Sequence, residues 1–164
     1  MSYPKLLHRY RRKMPNWIIE SSRLLVDKYD GKPENIWNDN PRPDDLQRRF
    51  SEFKGMGQKK SSMATNILVR DKNVPVRGVD LSGIDVSGDV HVRRVFLRAG
   101  LIDVDSVDAA VRTARDLNPS YPGELDLPAW YIGRTFCHPK EPECSRCAIS
   151  VDCPKRIDLD AKAA

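Results

Sequence analysis

The chain has 164 residues, 28 lysines and arginines against 23 aspartates and glutamates, and a formal net charge of +5. This length suits one domain or two small ones that share a core, and a composition that is 40% hydrophobic and 31% charged is ordinary for a soluble globular protein. No stretch approaches about 18 continuous apolar residues, so the sequence predicts no membrane-spanning helix.

The predicted elements are helices, because strand patterns are poor, and the expected fold class is all-α. Apolar residues at helical spacing predict a first helix over residues 15–29, with Gly31 just past its end. The proline-containing residues 30–43 predict a loop. Asp44 is then expected to cap a second helix that runs through Phe53.

A glycine-containing hairpin, Lys54–Gly57, leads from the second helix into a third, which has Met63, Ile67 and Leu68 on one face. Residues 71–88 contain a proline and several glycines, and we expect them to be irregular.

Three more helices are predicted towards the end of the chain. The fourth begins at about Asp89, the fifth spans roughly residues 104–117, and the sixth lies within residues 127–136. Trp130 and Tyr131 on the sixth helix are expected to be core aromatics. The basic residues of the fourth helix are expected to point outward: Arg93, Arg94 and Arg98.

All four cysteines lie within one stretch of 17 residues: Cys137, Cys144, Cys147 and Cys153. A loop this short cannot bury four thiols as ordinary core residues, but it can wrap four thiolates around one inorganic centre. All-cysteine ligation suits a [4Fe–4S] cluster or zinc. Structural zinc sites more often show two separated C-x2-4-C pairs, and this loop has only one, which favours the cluster.

Two disulfides are the third alternative for the cysteines. Disulfides need an oxidising compartment, and the N-terminus shows no apolar segment that would direct the chain there. We therefore expect a cytoplasmic, nucleoid-associated protein, or one in another reducing compartment, and not a secreted one.

Residues 53–68 place two helices around a G-x-G turn. Gly55 and Gly57 let the backbone turn tightly and approach a phosphate without Cβ atoms in the way. The first amides of the following helix are free donors at its positive dipole end. Such a hairpin grips DNA through phosphates, so it positions the protein without reading sequence. A G-x-G between helices is a weak signal when it stands alone.

Positive charge is concentrated in three runs. A solvated surface would account for any one of them, but three together favour a polyanionic partner such as nucleic acid. The runs are Lys5, His8, Arg9, Arg11, Arg12 and Lys13; Lys54, Lys59 and Lys60; and Arg93, Arg94 and Arg98.

Together the hairpin, the Asp-led helix and the cysteine loop resemble the endonuclease III branch of the HhH-GPD DNA glycosylases, over about residues 16–156. The hairpin stands here as FKGMGQKK at residues 53–60, and the second motif as GDVHVRRV at residues 88–95. The cysteine spacing matches that branch position for position. The resemblance implies an HhH-GPD fold with a [4Fe–4S] cluster, acting in base excision repair on double-stranded DNA with a damaged base or an abasic site.

The resemblance also implies that Lys59 and Asp89 are catalytic. The lysine amine would attack C1′ of the sugar of a flipped-out nucleotide, expel the base and form a Schiff base, after which β-elimination cuts the strand. Asp89 would stabilise the developing positive charge and help take up the lysine proton. Alternatively, Lys59 is a phosphate contact and Asp89 a plain N-cap. The expected DNA-contacting residues are Lys54, Gly55, Gly57, Lys60, His91, Lys140 and Arg146.

The expected organisation is a basic N-terminal segment at residues 1–15, a partial HhH-GPD domain at 16–118 with its helix–hairpin–helix at about 44–68, and a C-terminal helix with the cluster loop at 119–164. The earlier helices of the family's barrel have no counterpart in the first fifteen residues. We therefore expect exposed apolar surface, and either self-association or a partner that completes the barrel.

Gly88 stands where the family usually has an apolar residue, which is expected to loosen the placement of Asp89. Two alternative functions remain: a non-catalytic DNA-binding module or fragment that keeps the hairpin and cluster, and a zinc-stabilised structural or assembly domain.

Overall fold

The computed structural model describes residues 10–78 and 81–157. Within these ranges the chain forms six α-helices and no strand, so the all-α prediction is confirmed. None of these helices is both long and apolar enough to cross a membrane. The helices are α1 (Met14–Tyr29), α2 (Pro43–Ser51), α3 (Gln58–Asn66), α4 (Val90–Arg98), α5 (Val107–Leu117) and α6 (Asp126–Thr135).

The helix starts follow the local sequence, with one correction. Asp89 is the N-cap of α4, as predicted, and Ser106 caps α5 by accepting a hydrogen bond from the Ala109 amide (3.0 Å). The prediction that Asp44 caps α2 is wrong. Arg42 is the N-cap residue and Pro43 follows it, a position that suits proline because the first-turn N–H has no partner within the helix.

Two clusters of buried apolar side chains hold the helices together. The N-terminal core lies between α1, α2 and the hairpin, and its buried members are Tyr29, Ile36, Leu46 and Phe50. The C-terminal core is built mainly by α4, α5 and α6, and contains Val92, Val95, Phe96, Leu97, Ala110, Ala114 and Ala129. In this second core α6 packs closely on α4 at Gly133. A Cβ there would lie 2.7 Å from the His91 carbonyl oxygen, so the close contact needs glycine.

The segment before α4 is irregular, as expected, yet it is buried. Ile84 and Val86 are fully inaccessible to solvent, and Asp85 is 6% exposed. Gln47 on α2 exchanges two hydrogen bonds of 3.1 Å with Asp85, and Arg115 on α5 donates two more to its carboxylate (2.8 and 3.0 Å). This buried loop, residues 81–89, fixes the start of α4.

Two predictions about side-chain exposure are wrong. Arg98 is buried at 2% exposure, because its guanidinium donates to backbone carbonyl oxygens of the cysteine loop. Tyr131 is 54% exposed, whereas its neighbour Trp130 is partly buried against the C-terminal core. A helical period indicates which face is apolar, but it does not show which polar residue finds a buried partner.

The expected apolar exposure is present on α1, where Ile18, Ile19 and Val26 are 59%, 49% and 61% exposed. An open groove beside them is lined by residues of α1, α2 and the hairpin, including Trp17 and Met56. Within the basic N-terminal segment, Arg11, Arg12 and Lys13 are exposed. Lys5, His8 and Arg9 lie outside the described residues.

Candidate active site and cysteine cavity

Lys59 and Asp89, which are 30 residues apart in the sequence, meet at the N-terminal ends of α3 and α4. One carboxylate oxygen of Asp89 accepts a hydrogen bond from the His91 amide (2.7 Å), and the other forms an ion pair with the Lys59 ammonium. The Asp89 side chain is 3% exposed and that of Lys59 is 48% exposed. An accessible amine is therefore in direct contact with a buried carboxylate.

The surroundings of Asp89 keep it ionised. Burial disfavours the charged carboxylate, but the hydrogen bonds from Lys59 and from the His91 amide outweigh this effect. The net result is a pKa of Asp89 below its usual value. At neutral pH the carboxylate is available as a proton acceptor and as a negative charge facing the cleft.

The two hairpin glycines have different surroundings. Gly55 has φ +84, and a Cβ there would lie 2.7 Å from the Trp17 ring, so the turn itself requires glycine. Gly57 is the N-cap of α3 in an extended conformation, and nothing lies within 4 Å of the Cβ that another residue would add. The position that a side chain at Gly57 would occupy is therefore open at the start of α3, a helix end of the kind that binds anions.

The neighbouring lysines point elsewhere. Lys60 donates to the Gly55 carbonyl oxygen (2.6 Å) and lies over the Trp17 ring, 5.7 Å from its centre. Lys54 pairs with Glu20 across 3.6 Å. Of these three lysines, Lys59 is the one whose amine contacts Asp89.

Two side chains that the sequence did not single out hold residues 86–88, directly before Asp89, in place. The Gln58 side chain accepts from the Gly88 amide (2.8 Å) and donates to the Val86 carbonyl oxygen (2.8 Å). Asp126, the first residue of α6, accepts from the Ser87 amide and hydroxyl (3.2 and 2.6 Å). A glutamine and an aspartate in first helical turns are common, so their sequence positions carried no signal.

Gly88 does not loosen this segment, contrary to expectation. A Cβ at Gly88 would lie 2.8 Å from the Gln58 amide oxygen and 2.7 Å from Val107. The missing side chain lets both neighbours approach closely, and the Gly88 amide is hydrogen-bonded.

Of the remaining candidate DNA contacts, His91 touches this pair through its backbone amide, whereas its ring takes part in other contacts. The His91 ring is 2.9 Å from an Arg94 nitrogen and packs edge-on against Trp130, in the contact between α4 and α6. Lys140 and Arg146 are exposed on the cysteine loop. Arg146 is ion-paired with Glu143 (2.6 Å).

The four cysteines line one cavity. It lies between α4, α6 and the loop that follows, and apolar side chains such as Val95, Phe136 and Ile149 complete its walls; the thiol-bearing residues are Cys137, Cys144, Cys147 and Cys153. All four are partly buried. Among residues 10–78 and 81–157, no three histidine, cysteine or acidic side chains are grouped closely enough to hold a single metal ion.

Arg98 ties α4 to this cavity. Its guanidinium donates to the His138 and Pro139 carbonyl oxygens (2.7 and 2.8 Å) and lies 3.5 Å from the Cys137 sulfur. Arg94, one turn earlier, donates to the Cys137 carbonyl oxygen (2.7 Å). A buried guanidinium beside a cysteine sulfur would offset the negative charge of a thiolate ligand, so the four cysteines and their surroundings fit an iron–sulfur cluster. One helix thus connects the Asp89 site to the cysteine cavity.

No family model matches the chain. It is 27% identical over 146 residues to endonuclease III of Buchnera aphidicola subsp. Baizongia pistaciae (strain Bp), and 25% identical over 145 residues to endonuclease III of Thermotoga maritima. Each match covers 88% of this chain and 57% of the relative. The chain therefore spans little more than half the length of the curated relatives it matches.

Two solved structures have a similar fold. A non-covalent endonuclease III–DNA complex matches with a TM-score of 0.63 and 21% identity, covering 93% of this chain and 61% of that one. A trapped endonuclease III–DNA covalent intermediate, an estranged-adenine complex, matches with a TM-score of 0.59 and 23% identity, covering 90% and 58%. The chain has an endonuclease III-like fold.

Proposed function

We propose that this endonuclease III-like chain is a base excision repair DNA glycosylase and abasic-site lyase that excises a damaged base through a Schiff base on Lys59. The observation that supports this most directly is the contact between the exposed Lys59 amine and the buried Asp89 carboxylate. The sequence relatives are named endonuclease III, and the similar structures are complexes of endonuclease III with DNA.

In this mechanism the amine of Lys59 must lose a proton before it can attack. Asp89 is the base within reach, because its carboxylate already accepts from that ammonium. The nitrogen forms a bond to C1′, and the base leaves with the electron pair of the C1′–N bond. The carboxylate faces the positive charge that develops on the sugar. The nitrogen lone pair then forms the C=N bond as the C1′–O4′ bond breaks and O4′ takes up a proton, which gives a protonated imine. Water removes a C2′ proton, and the electron pair of that C–H bond expels the 3′ phosphate.

Binding of the duplex would rest on phosphate contacts. The open first turn of α3 beyond Gly57 offers backbone N–H donors to one phosphate. Lys54 and Lys60 flank the hairpin, while Lys140 and Arg146 extend the positive surface onto the cysteine loop. Contacts of this kind position the protein and weaken as salt concentration rises.

The proposed cofactor is a [4Fe–4S] cluster held by the four cysteines that line the cavity. Its contribution is structural: it fixes the loop that carries Lys140 and Arg146. Visible absorbance and metal content of the purified chain test this proposal. Broad absorbance with bound iron would support the cluster, whereas a colourless chain with bound zinc would support the alternative of a zinc-stabilised domain.

A non-catalytic DNA-binding module is the second candidate. The observation that favours it is the apolar groove that stays open beside α1. In that case the hairpin and the cluster loop bind DNA, and a partner or a second copy covers the groove.

Borohydride trapping on an abasic-site duplex tests the proposed function. We expect a covalent adduct with the parent chain and none with Lys59→Ala. Lys60→Ala is the matched control, since it removes the neighbouring amine, which contacts Gly55 and Trp17 and not Asp89. At saturating duplex, where weaker phosphate binding no longer limits the yield, this control should still form the adduct. A parent chain that binds the duplex without forming an adduct would favour the binding module or a chain that needs a partner to complete it.

A further inference from the structure

Gln58 connects the two elements of the proposed active site. It is the first residue of α3, directly before Lys59, and its side chain reaches the loop directly before Asp89. One amide group makes two hydrogen bonds of 2.8 Å there, accepting from the Gly88 amide and donating to the Val86 carbonyl oxygen. The same nitrogen lies 3.1 Å from the Ser62 hydroxyl, one turn further along α3.

Gly88 makes this close approach possible. Any other residue there would place its Cβ 2.8 Å from the Gln58 amide oxygen. Glycine at position 88 and glutamine at position 58 therefore fit together, because the Gln58 amide occupies the space that a side chain at position 88 would fill.

Both ends of the Gln58–Gly88 hydrogen bond lie directly next to a residue of the Lys59–Asp89 pair in the sequence. One covalent link separates Gln58 from Lys59, and one separates Gly88 from Asp89. A shift of the loop relative to α3 would therefore change the distance between the Lys59 amine and the Asp89 carboxylate directly. The opposite side of the loop is held by Asp126 through Ser87, so the loop has a fixed support against which Gln58 acts.

We propose that Gln58 is a positioning residue for the Lys59–Asp89 pair, and that its amide sets the relative placement of the amine and the carboxylate. This inference rests on the proposed function. Gln58 touches neither the sugar nor the base in this proposal. It acts through Lys59, which follows it directly, and through Asp89, which directly follows Gly88. Displacing a reacting group by about 1 Å can slow a reaction about 100-fold, so loss of the amide should slow imine formation without weakening DNA binding.

The chain offers a close control for a purely structural role. Gln47 is also partly buried, also starts from a helix, and also makes two hydrogen bonds to the same loop, at Asp85. Its contacts end four residues before Asp89. If general stability of the loop were what matters, Gln47 and Gln58 would have similar effects.

The experiment compares the parent chain, Gln58→Met and Gln47→Met, each purified with its metal centre. Methionine keeps the length of glutamine and removes its hydrogen bonds. The measurements are the duplex dissociation constant, the thermal midpoint, and the rate of borohydride trapping at saturating abasic-site duplex. We expect Gln58→Met to trap about 10- to 100-fold more slowly with an unchanged dissociation constant, and Gln47→Met to trap at nearly the parent rate.

Each outcome decides the inference. Equal slowing in both variants, or no slowing in Gln58→Met, overturns the positioning role while the proposed function stands. A parent chain that forms no adduct overturns the proposed function, and the inference falls with it. If Gln58→Met does not fold, Gln58→Asn replaces it with the same expectation, because its amide is one methylene too short to make both bonds.

Discussion

Asp126 is a buried carboxylate, as Asp85 and Asp89 are, and it holds the loop before α4 through Ser87. Burial raises the pKa of Asp126, and the negative charge of Asp89 adds to this effect, while the hydrogen bonds from Ser87 oppose it. The net direction is upward from the usual value. Asp126 and Asp89 therefore have pKa values shifted in opposite directions, because only Asp89 has an ammonium partner.

This upward shift predicts how stability depends on pH. A group with a raised pKa in the folded state contributes stability below its unfolded pKa, about 4, and this contribution is lost as pH rises through the folded pKa. Asp126→Asn removes this titration and keeps an acceptor for Ser87. We expect the parent to lose stability relative to the variant as pH rises from the unfolded pKa through the folded pKa, measured by urea unfolding in a pH series that begins below about pH 4.

An NMR titration of the Asp126 carboxyl carbon provides the direct check. A pKa at the ordinary aspartate value, or a stability difference between the two chains that does not change with pH, would contradict the prediction.

At the scale of elements, the hairpin between α2 and α3 separates a folding requirement from a binding requirement. Gly55 combines a positive φ with a close approach to the Trp17 ring, whereas Gly57 has neither constraint. Both are glycines of one G-x-G motif, but only Gly55 is required by the turn. Gly57 leaves open the space beside the start of α3, where we propose that a phosphate binds.

The two alanine variants should therefore behave differently. We expect Gly55→Ala to destabilise the chain by about 1–3 kcal/mol, because it forces an L-residue into a strained conformation against Trp17. Gly57→Ala should cost less than about 1 kcal/mol, since alanine is only a poorer N-cap. Its Cβ would nevertheless stand where a phosphate approaches.

Urea midpoints and duplex titrations at one fixed salt concentration test the pair. Gly57→Ala should weaken duplex binding at nearly parent stability. Parent-like binding by Gly57→Ala would exclude the phosphate site at α3, and parent-like stability of Gly55→Ala would contradict the strain argument.

At the scale of the whole molecule, two apolar cores divide the chain, and the cysteine cavity belongs to the second. Cys137 and Ile149 pack against the C-terminal core, and Arg98 connects its helix to the cysteine loop. The N-terminal core of α1, α2 and the hairpin has its own buried side chains. The two parts should therefore respond differently to loss of the metal centre.

Removal of the iron of the proposed cluster by a chelator under anaerobic conditions should release the cysteine ligands and unfold the loop from Cys137 to Cys153, since metal binding and local folding are coupled. Hydrogen exchange should then quicken in this loop and at the C-terminal end of α4, with α2 and α3 staying protected. Arg98→Met should lower the iron content of the purified chain. Uniform exchange across both cores, or parent-like iron content in Arg98→Met, would contradict this division.

The sequence accounts well for features that depend on neighbouring residues. Helical periods predicted all six helices, and Asp89 caps α4 as expected, because capping and periodicity are local properties. The failures concern residues whose role depends on distant partners. Arg98 was expected to face solvent, and Asp44 was expected to be the N-cap of α2, whereas the N-cap is Arg42, two residues earlier.

The sequence by itself determined the all-α class, the positions of the helices and the grouping of four cysteines within 17 residues. Only the tertiary structure decided that Lys59 contacts Asp89, that Gln58 and Asp126 hold the loop between them, and that Arg98 is buried at the cysteine cavity. The physical reason is the range of the interactions. Turn chemistry and helical periodicity act within a few residues, whereas a polar side chain is buried only where folding brings it a partner from elsewhere in the chain.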